Sequence, residues 1–386
     1  MNLYIYGRLT ENPVIKNLLA WRETGAESCY YAACRGLISA RAGLGELIAA
    51  ALLEAEPAGG VEAVRAYFDR DINEIYSGLA AFDWDAACEK SGLLPLPDFA
   101  PGGAGADDYR TAADGLAGAG SAAAFGEIVA GFFRKYACAD EAKFAAFSWK
   151  NGRLAGVPEP DGISFGDLAA LGYRKDVLVG NTAAFTEGRP AQDILLAGAS
   201  GTGKSSCVKA VFNMFRPRGL KIAELLKEDV SELPALMEEI NKRKNRYLIY
   251  IDDLSFDGSD ADFKALKVAL DGRVGKRPAN TLIYATSNRV HLVRESWKDR
   301  EAVQDIHENE TMHEKMSLSE RFGIRLYFQY LTQPEYLEIV ALLLERHGVE
   351  FGEAAAKEAV AWELRGNGRS GRTAKQFVTD YLSRFV

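Results

Sequence analysis

A parallel α/β sheet covered by helices is predicted from three features of the sequence. Five short apolar runs, Ile194 to Ala197, Leu220 to Leu225, Tyr247 to Ile251, Thr281 to Ala285 and Ile324 to Phe328, alternate with stretches of helical spacing. The runs are mainly apolar, interrupted by Lys221, Glu224 and Arg325, as expected of strands buried on both faces by helices. The first runs directly into a glycine-rich turn and the third ends in paired carboxylates, the polar groups that open parallel sheets present at the C-terminal ends of their strands.

The elements before this sheet read mainly as helices. Asn12 is a cap and Pro13 a first helical residue, after which Val14, Ile15, Leu18 and Leu19 share one face. Leu37, Leu44, Leu47, Ile48 and Leu52 continue the helical spacing as far as Pro57-Ala58-Gly59-Gly60, and a third helix is expected around Val61 to Leu79. Pro95 to Ala124 is dense in Gly, Ala and Pro and reads as a mobile linker or insertion. Phe144, Phe147 and Trp149, then Asn151-Gly152, then Leu154 and Val157 form a strand, a tight turn and a returning strand. Beyond the sheet, Gln333 onward is helical again. The 386 residues divide on this reading into a mainly helical region (1–165, with a flexible Gly/Ala-rich stretch near 100–124), an α/β subdomain (166–331) and a small helical lid (332–386).

Gly198-Ala199-Ser200-Gly201-Thr202-Gly203-Lys204-Ser205 matches G-x-x-x-x-G-K-[ST] at every fixed position, with a strand before it and a helix from Ser206 to Phe215 after it. Such a loop wraps phosphate with its backbone N–H groups and the helix N-terminus, so residues 198–206 are expected to bind a nucleotide. Lys204 reaches the β- and γ-phosphates in this reading, and the Ser205 hydroxyl ligates Mg²⁺. Tyr247-Leu248-Ile249-Tyr250-Ile251 delivers Asp252 and Asp253 to the same edge. Asp252 is assigned to Mg²⁺ and Asp253 to polarising a water for attack on the γ-phosphate. Asn241-Lys242-Arg243-Lys244 lacks the Asp of a guanine-reading motif, so ATP is preferred over GTP.

Composition narrows the class. Hydrophobic residues make up 48% and charged residues 26%, enough for a sizeable core, and the net charge of −8 argues against a dedicated nucleic-acid binder. The start of the chain lacks a leader pattern, no apolar run approaches the roughly 20 residues of a membrane span, and the five scattered cysteines read as reduced thiols. A cytoplasmic protein without a membrane anchor is expected. Cys29 and Cys34 lack the second pair a zinc site needs. The basic cluster Lys242-Arg243-Lys244-Asn245-Arg246 suits a helix C-terminus, with contact to nucleic acid or an acidic partner as the other reading. Asp305 to Glu310 with His313 fits no standard metal spacing and reads as a solvated loop.

The order of these features resembles the AAA+ superfamily. Thr281-Leu282-Ile283-Tyr284-Ala285-Thr286-Ser287-Asn288 resembles its sensor 1 strand, which implies that Asn288 helps orient the attacking water. Ser319-Glu320-Arg321-Phe322-Gly323 resembles the segment carrying the arginine finger, and Ser370-Gly371-Arg372-Thr373-Ala374 the start of the sensor 2 helix. The resemblance therefore makes Arg321 and Arg372 candidates, the latter preferred over nearby Arg369. It places Leu171-Gly172-Tyr173 at the adenine pocket. A closer resemblance, from about residue 130 to the end, is to an uncharacterised bacterial predicted-ATPase family. It is carried by Asn181-Thr182, Phe185, Gly188, Asp252 to Phe256, Tyr284 to Arg289, His291-Leu292 and Leu318 to Gly323. Asp253 departs from the Glu commoner in the superfamily. The implied protein is an oligomeric ATPase, a ring or open spiral, that remodels an unidentified protein or nucleic-acid partner. The rivals are a slow-turnover loader or adaptor that docks in its ATP state, and a P-loop kinase of a small molecule.

Overall fold

The computed structural model describes residues 1, 3–54, 56–97, 108–254, 260–271, 277–288, 319–365 and 368–385. It divides into two compact units, Met1–Phe144 and Ala145–Val386.

The first unit is helical. Asn12 accepts hydrogen bonds from the N–H groups of Val14 and Ile15 and so caps the helix Pro13–Thr24, with Pro13 at its first position. The longest helices that follow are Glu27–Ala40, Arg65–Ile75 and Ala122–Lys135. They meet around Trp21, Leu37, Phe68, Phe125 and Phe133, all buried in one apolar cluster. Asp71 lies fully buried in this unit because its carboxylate accepts the N–H groups of Tyr4, Ile5 and Tyr6 at 2.9, 2.7 and 3.1 Å. Of the Gly/Ala-rich stretch, residues 98–107 lie outside the described residues. Asp108–Ala117 is a helix with Leu116 buried, a conformation that its alanines favour once an apolar side chain docks. Among the described residues no single helix is long and apolar enough to cross a membrane.

The second unit is built on a sheet of seven strands: β1 (Ala146–Lys150), β2 (Arg153–Val157), β3 (Ile194–Gly198), β4 (Leu220–Leu225), β5 (Arg246–Ile251), β6 (Thr281–Ser287) and β7 (Ile324–Phe328). Their order is β2-β1-β4-β5-β6-β3-β7, and every pair is parallel except β1 with β2. The five apolar runs are the central and far-edge strands, so the expected five-stranded sheet is corrected to seven. The hairpin supplies the other two: Ala146 to Trp149 are all buried, and β1 reaches that burial by pairing Ala146 with Ile222 and Ser148 with Glu224. Helix Lys204–Phe215 packs Cys207, Val208, Val211 and Phe212 against Leu196, Leu248 and Tyr250 on one face of the sheet. This is the helix-covered, mainly parallel α/β sheet expected from the sequence.

A small helical subdomain follows β7. Helices Gln333–Arg346, Glu353–Arg365 and Gly371–Phe385 bury Tyr336, Val340, Leu344, Ala359 and Phe377 between them. Thr332 and Glu335 form a reciprocal capping box that fixes where the first of them begins.

Candidate nucleotide-binding site

Sheet register brings the candidate residues together. In β5 and β6, Ile251 pairs with Ala285; in β6 and β3, Thr286 pairs with Leu196 and Ser287 with Ala197. The three strands therefore end nearly level, and Gly198, which closes β3, surrounds the start of helix Lys204–Phe215 together with Asp252 and Asn288, the residues just beyond β5 and β6. Gly198 must be glycine: at φ +131° a Cβ would come 2.0 Å from the Phe328 carbonyl oxygen, while the Ala199 N–H donates to that same oxygen at 2.9 Å. The loop then rises from β3 and returns through Gly203, a left-handed helix cap without a side-chain acceptor, which leaves the amides of the first helical turn available to an anion.

Lys204 is buried, and its ammonium donates to the carbonyls of Gly198 and Ala199 at 2.9 and 2.7 Å and to Asn288 Oδ1 at 3.0 Å. Burial pushes the Lys204 pKa down, and the nearby charges of Asp253 and Asp252 oppose that shift. Asn288 Nδ2 donates to Asp253 Oδ1 at 2.6 Å, which joins the lysine to the second acid. Ser205 Oγ donates to Asp252 Oδ1 at 2.8 Å. Thr202 turns inward to donate to the Ala199 carbonyl, Ser200 is exposed, and Ser206 is half-buried one residue into the helix after Ser205.

Two acids in sequence have distinct surroundings. Desolvation by the cleft walls pushes the Asp252 carboxyl up, although solvent reaches its open side. Hydrogen bonding from Thr286 first, then from Ser205 and the Asp253 backbone, outweighs that effect and holds it below the ordinary carboxylate range. Asp253 has φ +51°, uncommon for a residue with a side chain, and faces solvent with Lys227 Nζ at 3.9 Å. Thr286 holds this conformation. Its hydroxyl donates to Asp252 and accepts the Asp253 N–H at 2.9 Å, and its own carbonyl accepts the Leu254 N–H at 2.7 Å.

The donor chemistry suits magnesium. A serine hydroxyl and an ionised carboxylate on adjoining elements are hard oxygen ligands of the kind Mg²⁺ takes alongside phosphate oxygens and water. Ser205 and Asp252 would hold the ion.

The lid approaches the same loop. The Gly371 N–H donates to the Gly201 carbonyl at 2.7 Å, and a Cβ on Gly201 would meet Ser370 at 2.9 Å. Arg372 is exposed one residue further on, with its Cβ also close to Gly201. Arg369 is engaged elsewhere, in a two-pronged pair with buried Glu363 at 2.9 and 2.8 Å. Leu171 and Gly172 line a cavity of about 480 Å³ together with Leu168, Arg174, Glu335 and Glu338. Tyr173 opens the adjoining helix, Tyr173–Thr186, and is 59% exposed rather than part of that lining. Arg174 connects the cavity to the phosphate loop: it donates to the Tyr327 carbonyl at 2.7 Å and covers the ring of Phe328, whose own carbonyl receives Ala199.

Arg321 does not join this network. It precedes β7 at the N-terminal end of the sheet, and the length of β7, about 13 Å for four steps, separates its end from the phosphate loop. The basic cluster is used within the chain: Lys242 and Arg243 pair with Glu239, and Arg246 covers the Phe185 ring. Asp305 to His313 lie outside the described residues, among which no group of His, Cys, Asp and Glu side chains could hold a metal on its own. Sequence reasoning gave no role to Thr286, Tyr250, Lys227 or Arg174. A threonine closing the otherwise apolar run Leu282 to Ala285 was the one available signal.

Residues 142–385 match the family described as Protein of unknown function (DUF815), and the chain belongs to that family. No curated protein matches it. Among solved structures it is similar to the Thermotoga maritima RuvB Holliday junction branch migration motor (18% identity, TM-score 0.40, 56% of this chain and 64% of that one). It is also similar to the FIGL-1 AAA domain in complex with ADP (20% identity, TM-score 0.41, 56% and 72%). The chain thus spans just under two thirds of the RuvB structure.

Proposed function

We propose that this member of the DUF815 family binds Mg-ATP at the C-terminal edge of its sheet and hydrolyses it to ADP and phosphate. The observation that carries the reading is the continuous hydrogen-bonded set Lys204, Asn288, Asp253, Thr286, Asp252 and Ser205 around a phosphate-binding loop. These are the parts that in-line transfer of a phosphoryl group to water requires: a cation and amides for the phosphates, oxygen ligands for a metal, and a carboxylate beside the attack position. Magnesium held by Ser205 and Asp252 would supply charge neutralisation for the phosphates. Lys204 exchanges its carbonyl partners for phosphate oxygens, which ends its contact with Asn288 and leaves that side chain to Asp253 and a water. Asp253, oriented by Thr286 through its own N–H, accepts the water's proton.

Arg321 stands at the wrong end of the sheet to serve its own nucleotide, which supports action on a neighbouring copy in a homo-oligomeric ring or spiral. Arg372, carried by the lid segment that touches Gly201, would report the nucleotide to the helical subdomain and so drive its movement. The cavity beside Leu171 and Gly172 takes the adenine. A partner remodelled by that movement, protein or nucleic acid, belongs to the same proposal, as does a cytoplasmic setting.

The experiment is Asp253→Asn. The amide keeps the shape and loses the charge that accepts a proton, so the variant should bind ATP like wild type while hydrolysis drops by about 10² or more, the range of general-base contributions. Wild-type turnover in Asp253→Asn would move the base elsewhere. Turnover in wild type that needs an added protein would favour a loader, and ADP release that needs a small acceptor would favour a kinase.

A further inference from the structure

Tyr250 is out of character for its position. It is the second-to-last residue of β5, 2% exposed, within the apolar cluster formed with Cys207, Val208 and Leu248. Strand alternation puts it on the same face as Asp252, two residues on, and beneath the first turn of helix Lys204–Phe215. Its hydroxyl is fully buried and has no hydrogen-bond partner, although it lies beside both Ser205 and Asp252.

An apolar residue would fill this space without the cost of burying an unsatisfied hydroxyl. The other tyrosine of this cluster is treated differently: Tyr284 satisfies its hydroxyl with Thr182 at 2.7 Å and Asn181 at 3.0 Å. A phenol hydroxyl is both donor and acceptor, so this buried group is available to donate. Meanwhile Asp252 is held by Ser205 and Thr286 through the same oxygen, Oδ1, and Ser205 is itself the candidate metal ligand. Once the Ser205 oxygen is committed to an ion, the carboxylate needs another donor to keep its orientation.

We propose that Tyr250 is a positioning residue for the metal site, its hydroxyl donating to the Asp252 carboxylate when the magnesium-nucleotide complex forms. The inference rests on the Mg-ATP reading above and adds a residue through which this chain sets its metal affinity. Hydrogen-bonded partners of metal ligands fix ligand orientation, and their loss commonly weakens metal affinity by about 10- to 100-fold.

Thermal melting of the full chain with a saturating non-hydrolysable ATP analogue, while Mg²⁺ is titrated, tests it without relying on turnover. Three proteins are compared: wild type, Tyr250→Phe and Tyr284→Phe. Tyr250→Phe removes a hydroxyl that has no partner in the free protein, so its melting temperature without nucleotide should equal or exceed that of wild type. Its half-saturating Mg²⁺ concentration should rise roughly tenfold. Tyr284→Phe should do the reverse, melting lower without nucleotide and keeping the wild-type Mg²⁺ midpoint. An unchanged Mg²⁺ midpoint in Tyr250→Phe overturns the proposal, whatever its melting temperature. A wild type that gains no stability from magnesium and the analogue overturns the nucleotide reading itself, a result distinct from the first.

Discussion

The two ends of the parallel sheet use polar residues in opposite ways. At the N-terminal end of β3, buried Asp193 makes a two-pronged pair with Arg277, one contact at 2.7 Å, and also accepts the Ile283 N–H at 2.7 Å. That carboxylate is saturated by groups of its own chain. At the C-terminal end, Asp252 and Asp253 face solvent, the Lys204 ammonium rests on backbone carbonyls, and Tyr250 has a hydroxyl with nothing to bond. Both ends have an acid and a base within one sheet. Among the described residues, the C-terminal end offers the ammonium, the carboxylates and the hydroxyl that a ligand would complete. The contrast separates a structural ion pair from a candidate ligand site more sharply than the identity of the residues does, and single substitutions can break either side of it.

The largest effect is expected from the residue that crosses the contrast. Arg321 lies at the structural end, yet the proposal gives it work at a neighbouring copy's binding end. Arg321→Ala should bind ATP normally and lose turnover by about 10³ to 10⁵, the worth of fingers supplied in trans in GTPase systems. Mixing it with Lys204→Ala, whose Arg321 is intact, should restore activity that rises with protein concentration. Co-assembled mixtures that stay inactive would remove the trans assignment.

Asp193→Ala should be the costliest change for folding. It leaves the Arg277 guanidinium and the Ile283 N–H without their acceptor, and breaking a buried pair of this kind costs about 3–5 kcal/mol. Chemical denaturation measures the loss. The variant's response to Mg-ATP, read at a temperature where it is folded, should persist. Loss of nucleotide response with little loss of stability would erase the distinction between the two ends.

Thr286→Val should fall between. It keeps the buried volume and strips the hydroxyl that donates to Asp252 and receives the Asp253 N–H. Leaving that N–H unpaired costs about 1–3 kcal/mol. Hydrolysis should fall further than stability does, because both acids lose their common reference point. Equal losses would make Thr286 structural only.

The smallest effect concerns acid. The folded pKa of Asp252 lies below its unfolded value, so its ionised form stabilises the fold above the ordinary aspartate range, near pH 3.9, and that contribution disappears as pH falls through the lower folded value. The stability difference between wild type and Asp252→Asn should stay constant from neutrality to about pH 4 and shrink only below it. A difference that already changes between pH 7 and 5 would mean the carboxylate is held above, not below, its ordinary range.

Much of this was legible in the sequence because it is local. The glycine-rich turn after β3, the acids after β5 and the cap at Asn12 are each written within a few consecutive residues, where chain geometry dictates the outcome. What escaped depends on pairing between distant segments. The hairpin was readable from Asn151-Gly152, but not that β1 would pair with β4, since nothing near Ala146 encodes its register with Ile222. Thr286 becomes a brace for two acids only because β5 and β6 align Ile251 with Ala285. Tyr250 in sequence is one more apolar strand residue; its orphaned hydroxyl exists only once the helix Lys204–Phe215 lies over it. In sequence only motif position favours Arg372 over Arg369, and Glu363 adds a physical distinction by occupying Arg369.

The central claim, that the open end of the sheet is a Mg-ATP site centred on Lys204, is tested most directly by thermal unfolding of wild type and Lys204→Ala, each with and without Mg-ATP. Wild type should gain about 2.7 kcal/mol at a hundredfold excess over the dissociation constant, and Lys204→Ala should gain almost nothing over its own free form. A wild type whose melting does not move in millimolar Mg-ATP, or a Lys204→Ala that moves as far as wild type, would contradict the account.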